Sequence, residues 1–149
     1  MRLLPVILFL LSITASAQKY KLQPAPLSLM YVSGAAKGLS DVLMFHYANF
    51  QEVHPGANPQ FWNPDISWLN KYKNGDPAQG EAFPLSSTLF SPFLDGWHGS
   101  NSLSKVSCIG AVVIKIGHKQ KLRYYLYDFA FYSLAYSAGF WTTYEILYR

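Results

Sequence analysis

The residues best suited to chemistry stand in the short run Asp95-Gly96-Trp97-His98. On a helix, residues at i and i+3 share a face, so the carboxylate of Asp95 and the imidazole of His98 would converge. Such a pair supplies two metal ligands in carboxylate-bridged helical bundles. It also serves acid–base catalysis, in which the carboxylate orients the ring. The run therefore predicts a metal site or a catalytic pair, and the structural alternative is an Asp–His hydrogen bond that fixes a helix kink.

Other ionisable side chains could complete such a site. Asp41 and His46 are five residues apart, which is about 140° around a helix, so they cannot both face one site without distortion. The chain contains no Gly-x-Ser-x-Gly, P-loop or His-Glu-x-x-His motif. An enzyme of this sequence would therefore be a metal-dependent membrane hydrolase with a divalent metal as its cofactor. Its candidate ligands are Asp95, His98, His46 and Glu145.

The longest apolar segment runs from Tyr124 to Tyr148 and contains only two charges, Asp128 and Glu145. About 20 mostly apolar residues cross the hydrocarbon core of a bilayer as a helix, so this segment is long enough to span it. The basic residues of 118–123 lie directly before it, and such residues favour the cytoplasmic side. The sequence therefore predicts a membrane helix over 123–148.

Two further regions have the character of helices that pack inside a membrane. Residues 27–50 show apolar side chains at helical spacing, and residues 85–117 are apolar but interrupted at 99–102. The interruption predicts a broken helix, which a membrane accepts only where protein or a wet cavity covers it. Small residues one turn apart favour close helix packing, within one chain or between chains in a homo- or hetero-oligomer. These small residues are Gly34, Gly38, Ala135 and Gly139.

The connection between these helices, residues 51–84, is rich in proline and in aromatic residues. Proline and the turn sequence Asn74-Gly75-Asp76-Pro77 exclude a continuous helix there. Tryptophan is rare in disordered segments, so the sequence predicts an ordered loop. We expect the loop to face the periplasm or exterior, with aromatic side chains at the membrane surface. The predicted interface residues are Trp62, Trp68, Tyr124, Tyr125 and Tyr148.

The N-terminus and the composition point to an exported chain in contact with lipid. Arg2, an apolar run and Ala15-Ser16-Ala17 predict a secretory signal peptide over 1–17, with an uncleaved anchor as the alternative. Residues 18–149 then form a single domain. Only 13% of residues are charged and 50% are hydrophobic, against about 25% charged in soluble domains. The net charge is +4 and the Lys and Arg residues are scattered along the chain, so nucleic acid is not an expected partner. The low charged fraction favours a lipid-facing surface, so the expected partner is the lipid bilayer.

These patterns predict a mainly α-helical integral membrane protein with two or three membrane helices and a long ordered aromatic and proline-rich loop. Its expected place is the bacterial cell membrane, and its expected role is that of an accessory or interaction protein. An architectural alternative remains, because residues 112–116, a polar turn and residues 122–127 can be interpreted as a β-hairpin of an exported, aromatic-rich chain. That alternative is a small outer-membrane β-barrel.

Several strings together resemble a group of small uncharacterised bacterial and phage-associated membrane proteins. The similarity covers about residues 28–148, and the tryptophan-rich loop is its most specific part. The resemblance implies a membrane location and no catalytic activity. The sequence departs from the group's pattern after His98, where residues 99–102 are more polar than a continuing helix would be. The strings are Phe45-His46-Tyr47, Phe61-Trp62-Asn63-Pro64-Asp65, Ser67-Trp68, Asn70-Lys71-Tyr72-Lys73 and Asp95-Gly96-Trp97-His98.

Overall fold

The structure is a computed structural model that describes residues 20–116, 118 and 120–149. The predicted signal peptide, residues 1–17, lies outside the described residues. Within them the chain is mainly α-helical and contains no β-strand, which confirms the predicted mainly α class. The helices are α1 (Pro24–Phe45), α2 (Tyr47–Val53), α3 (Pro59–Trp62), α4 (Pro64–Ser67), α5 (Gly96–Lys115) and α6 (Leu122–Trp141). Shorter helical turns lie at Trp68–Lys71, Lys73–Gly75, Pro77–Gln79, Ser91–Phe93 and, as a π-helical turn, Thr142–Leu147.

The long helix α1 is the centre of the bundle. Helices α5 and α6 each pack along it and contact each other little. On one side Ser33 donates a hydrogen bond of 2.8 Å from Oγ to the carbonyl oxygen of Ser104, and Leu29 lies beside Gly110. These contacts place α5 antiparallel to α1.

The other side of α1 meets α6 at backbone distance. A Cβ atom built on Gly34 would overlap the carbonyl oxygen of Tyr136, and one built on Gly139 would overlap that of Tyr31. A Cβ on Gly38 would lie 2.9 Å from the carbonyl oxygen of Phe140. The contacts advance in the same direction along both helices, so α1 and α6 run parallel. Glycine is required here because no other residue lets two backbones come so close.

The helix boundaries differ from the predicted ones in instructive ways. The predicted helix over 27–50 is two helices, because the backbone of His46 leaves the helical region at φ −140° and ψ 39°. The predicted break at 99–102 is wrong, since α5 runs through it without interruption. Ser100 satisfies its hydroxyl within the helix by donating to the carbonyl oxygen of Trp97 at 3.1 Å. Residues 85–94, before α5, form turns instead.

The residues of the predicted β-hairpin lie in helices. Residues 112–115 belong to α5 and residues 122–127 belong to α6, so no hairpin forms there. The predicted helix over 123–148 is α6 followed by the π-helical turn Thr142–Leu147. A short apolar run of five or six residues fits a strand and a segment of a helix equally well, so its sequence alone does not distinguish the two.

The loop between α2 and α5 is held by side chains that cap its short helical turns. Asn58, Asn63 and Asp76 each accept a hydrogen bond from the backbone N–H two residues further on. Positive φ angles at Asn74 (53°) and Gly75 (71°) reverse the chain. A bridge between Tyr72 and Glu81 closes this turn.

In this bundle many small residues are buried, whereas many large apolar residues are exposed. A small apolar cluster of Val42, Leu43 and Phe50 lies at the loop end of α1. Along the rest of α1 and α5, the buried positions are mostly serine, glycine and alanine. Large apolar side chains are exposed instead, for example Val106 at 67% and Phe129 at 73%.

None of the described helices is both long enough and apolar enough to cross a membrane.

Candidate functional site

The pair Asp95 and His98 is formed at the start of α5. Asp95 is the N-cap residue, and its Oδ1 accepts a hydrogen bond of 2.7 Å from the backbone N–H of His98. The aspartate therefore precedes the helix, whereas the sequence analysis placed both residues on it. An N-cap carboxylate reaches the third residue of its helix, which is why the two side chains still meet. The Asp95 side chain is only 1% exposed.

The imidazole of His98 lies between a carboxylate and an ammonium group. Its Nδ1 is 2.9 Å from Oδ1 and 2.7 Å from Oδ2 of Asp95. Its Nε2 is 3.3 Å from Nζ of Lys71, which comes from the loop. A lysine ammonium only donates, so a neutral ring carries its proton on Nδ1 and accepts at Nε2. The row Asp95–His98–Lys71 therefore fixes the orientation of the ring from both sides.

A cavity of about 220 Å³ borders this row. We call it the Ser67 cavity, because Ser67 in its wall is fully buried and its hydroxyl has no hydrogen-bond partner within the described ranges. The Ser67 hydroxyl is therefore an unsatisfied donor in the cavity wall, and burying it without a partner is unfavourable. The cavity is lined by Met44, Pro64, Ser67, Trp68, Asp95, Trp97 and His98.

The other two candidate metal ligands lie elsewhere. His46 places Nε2 at 2.6 Å from the hydroxyl of Tyr144, and Glu145 forms an ion pair of 2.9 Å with Arg149. Both line a different cavity from Asp95 and His98. Across the described part of the chain, no three His, Cys, Asp or Glu side chains gather as a metal site would require. The four candidate ligands are thus two separate pairs, and a zinc site ordinarily takes at least three protein ligands.

Asp128 is the centre of a second polar cluster, at the opposite end of the bundle, which was not predicted from the sequence. Its Oδ2 is 2.8 Å from Nζ of Lys115 and accepts from Nε2 of Gln120 at 2.5 Å. The hydroxyl of Tyr20 donates to Oδ1. Burial, and then the hydrogen bond to this carboxylate, raise the pKa of Tyr20 above its ordinary value. In the sequence, only the isolated carboxylate of Asp128 near the start of an aromatic helix pointed to this cluster.

The aromatic residues predicted for the membrane interface lie at the two ends of the bundle. Trp62 stacks near Phe50 at the loop end, where Tyr148 also contacts Nε2 of His54 at 2.9 Å. Trp68 borders the Ser67 cavity at the same end. Tyr124 and Tyr125 lie at the other end. There Tyr124 contacts the ring of Tyr20, and the hydroxyl of Tyr125 donates to the carbonyl oxygen of His118 at 2.9 Å.

Comparison with known proteins adds nothing to this geometry. No family model, curated protein or solved structure matches this chain. The resemblance carried by the tryptophan-rich loop therefore stays a prediction. Function has to be inferred from the bundle and its two polar clusters.

We expect Asp95→Ala to lower the free energy of unfolding by about 2.5–4 kcal/mol. Loss of an N-cap costs about 1 kcal/mol, and loss of a hydrogen bond to a charged group costs about 1.5–3 kcal/mol. Asp95→Asn keeps the cap acceptor, so we expect about half of that loss. Denaturant unfolding in detergent, followed by circular dichroism, measures both. An Asp95→Asn variant as stable as the unaltered chain would show that the carboxylate charge contributes nothing to the pair, and equal losses in the two variants would show that the cap contributes nothing beyond the charge.

Proposed function

We propose that this chain is a small integral membrane protein of the bacterial envelope, whose three long helices form one lipid-embedded unit. The observation that carries the proposal is the inverted burial of the bundle. On α5 the exposed side chains between its ends include Val106, Ile109, Val112 and Val113. A protein folded in water places such side chains inside, and an exposed apolar surface of this extent marks contact with something other than water.

The residues buried between the helices support the same proposal. Ser100, Ser104 and Ser107 of α5 face α1, where Ser33 bonds to Ser104. Lipid is as apolar as leucine, so helices in a membrane gain nothing by burying leucine against each other. They associate through close packing of small residues and through hydrogen bonds between helices. The interfaces of this bundle have that composition.

The modest mean hydropathy of the helices is compatible with this arrangement. Averaging counts every residue, whereas only the outward side of a helix in a bundle meets lipid. The serines of α5 lower its average but face α1. Helix α6 has 20 residues, or about 30 Å at 1.5 Å per residue, which equals the thickness of the hydrocarbon core. Its single buried carboxylate, Asp128, is paired with Lys115.

We assign the protein an accessory or interaction role in the envelope, with lipid as its main partner. The loop 51–84 would lie at the outer surface and the basic residues of 118–123 at the inner one. A metal-dependent hydrolase is not proposed, because Asp95 and His98 are the only two candidate ligands of the described residues that meet at that site.

The topology of the bundle provides the test. Because α1 and α6 are parallel and α5 is antiparallel, Lys21 and Gln120 share one end and Trp68 and Arg149 share the other. We therefore expect single cysteines at 21 and 120 to be labelled from one side of the membrane and those at 68 and 149 from the opposite side. A membrane-impermeant maleimide on intact and on permeabilised cells measures this, with Cys108 replaced by serine.

We expect the protein to stay with membranes after a carbonate wash, with positions 68 and 149 labelled from outside. In that orientation position 21 is inside, which a signal peptide removed outside the membrane does not allow and which an uncleaved anchor over 1–17 allows only with its own N-terminus outside. Labelling of all four positions in intact cells, together with release by carbonate, would overturn the proposal.

A further inference from the structure

We propose that a groove along α1 binds one acyl chain of a membrane phospholipid. The groove lies at the loop end of the bundle, where α5 and α6 pack on α1 but touch each other little. Its volume is about 480 Å³, and pockets for small molecules measure about 300–1,000 Å³. We call it the lateral groove. Its lining includes Ala35 and Ala36 of α1, Gly99 and Leu103 of α5, Leu147 and Trp62.

Small residues at facing positions keep the lateral groove open. On α1 its lining includes Ala35 and Ala36, and on α5 it includes Gly96, Gly99 and Ser100. None of these side chains is longer than that of serine. The space between α5 and α6 therefore stays open above α1 at this level of the bundle.

The lining of the lateral groove is apolar. Among the described residues it contains neither a charged side chain nor a histidine. The hydroxyl of Ser100 is already used within α5, where it donates to the carbonyl oxygen of Trp97. A charged or strongly polar molecule would lose its hydration in the groove without gaining partners. The lining therefore selects an apolar occupant.

The shape of the groove favours an extended chain over a further helix. Its lining on α1 runs from Tyr31 to Leu39, a rise of about 12 Å at 1.5 Å per residue. Spread over that length, 480 Å³ gives a mean cross-section of about 40 Å², half of the roughly 80 Å² of a helix 10 Å across. At roughly 30 Å³ for a methylene group, the share of one water molecule, the groove holds about 16 methylene groups. That is the size of a common acyl chain.

The open side of the groove is continuous with the exposed apolar surface of the bundle. Val32, Leu103 and Leu147 line the groove and are themselves exposed. On α5 the exposed apolar surface continues from Leu103 to Val106. This is the surface that the proposed function turns toward lipid, so the groove opens sideways into the layer of acyl chains. The choice of a phospholipid as the source of the chain rests on that proposed function.

Polar groups at the loop end of the groove set the direction of the chain. Leu39, Trp62 and Tyr148 border both the groove and a second cavity of about 470 Å³. In that cavity Nε2 of His54 is 2.9 Å from the hydroxyl of Tyr148. In either neutral tautomer the pair keeps one free donor, the tyrosine O–H or the Nδ1–H of the ring. An ester oxygen accepts from such a donor, so the lipid head lies at the loop end and its chain points toward the middle of the bundle.

The experiment measures quenching of tryptophan fluorescence by a brominated acyl chain, because Trp62 borders the groove. The full chain carries Trp141→Phe, since Trp141 is exposed on α6 and any brominated lipid in a micelle would quench it. The detergent is digitonin, whose steroid body contains no acyl chain that competes for the groove. The quencher is dibromostearoyl lysophosphatidylcholine.

We expect saturable quenching that is lost when Trp62→Phe is added. Unbrominated stearoyl lysophosphatidylcholine should restore the fluorescence, and glycerophosphocholine, which has the same head but no acyl chain, should not. Absence of a saturable component, or its persistence in Trp62→Phe, overturns the proposal.

Two pairs of variants locate the chain. Ala35→Leu puts three more carbon atoms into the groove and should weaken binding about tenfold or more. Ala138→Leu, the same change at an exposed alanine of α6, should bind as the unaltered chain does. If far-UV circular dichroism shows that Ala35→Leu does not fold, Leu103→Trp at the rim carries the test, with Val106→Trp as its control at an exposed residue outside the groove. A test variant that binds no more weakly than its control overturns the groove in favour of general partitioning into the micelle.

A second copy of the chain in the groove would give a different result. Light scattering in digitonin would then show a dimer that Ala35→Leu dissociates, and this outcome overturns the proposal. We expect a monomer for the unaltered chain and for Ala35→Leu alike.

Failure of this site and failure of the proposed function are distinguishable. A chain that stays in carbonate-washed membranes but shows no saturable quenching loses the acyl-chain site and keeps its membrane role. A chain that carbonate releases, but whose Trp62 is quenched saturably, keeps a site for an acyl chain and loses the membrane role.

Discussion

Replacing Gly34 by alanine is expected to force α1 away from α6 and to lower the free energy of unfolding by about 3 kcal/mol or more. The added Cβ would overlap the carbonyl oxygen of Tyr136 and lie 2.7 Å from its carbonyl carbon. These are backbone atoms, so no side-chain rotation relieves the clash. Extra methyl groups in tight interiors usually cost about 1–3 kcal/mol, and a clash with a rigid helix belongs at or above the top of that range. Gly139→Ala should behave alike, because its Cβ would overlap the carbonyl oxygen of Tyr31.

Gly110→Ala is the matched control. Its Cβ would lie 3.5 Å from Cδ1 of Leu29, which is ordinary contact. Alanine is favoured over glycine within helices by about 1 kcal/mol, so this variant should be as stable as the unaltered chain or slightly more stable. Denaturant unfolding in detergent compares the three variants. If Gly110→Ala lost as much stability as Gly34→Ala, the losses would reflect a general intolerance of alanine and not the α1–α6 contact.

Removing the ammonium of Lys115 is the second change with a large expected effect. Lys115→Met leaves the Asp128 carboxylate, only 4% exposed, without its 2.8 Å cationic partner. Breaking a buried ion pair from one side costs about 3–5 kcal/mol, because the remaining charge stays buried. We expect a loss of that size in the free energy of unfolding.

Two further variants show that the loss comes from the isolated charge. Lys115→Met combined with Asp128→Asn should recover most of the stability, because a neutral amide can still bond to Tyr20 and Gln120. Lys73→Met, at an exposed lysine of the loop between α2 and α5, should change stability by less than about 0.5 kcal/mol. If the double variant were no more stable than Lys115→Met alone, the lysine would act through its packing and not through its charge.

The helical class and the small residues that pack between helices could be predicted from the sequence, because both depend on the spacing of residues close together along the chain. Gly34 and Gly38 stand one turn apart, and any helix through them presents a smooth face. The predicted break at 99–102 was wrong because glycine and serine residues lower the apolar character of a segment equally in a loop and on a buried helix face. In the structure Ser100 is buried against α1 with its hydroxyl satisfied, so the same residues continue the helix.

Within the candidate site, only the contact between residues that are close together along the chain could be predicted from the sequence. Asp95 and His98 are three residues apart and meet through a cap. Lys71 and Ser67 join them because the loop folds back onto the start of α5, and a sequence pattern does not encode that path. Asp128 was visible as a lone carboxylate, but its partners Lys115 and Tyr20 come from separate segments.

The central position of α1 has a consequence for how the chain is made. The surfaces that α1 presents to α5 and α6 are complete by Phe45, whereas its partners begin at Gly96 and Leu122. A ribosome adds about 5–20 residues per second, so α1 waits several seconds with its serines and glycines uncovered. The two later helices touch each other little, so α5 can pack against α1 as soon as it is made, before α6 exists. Assembly then proceeds in two steps, and a truncation within α6 leaves the glycine face of α1 uncovered.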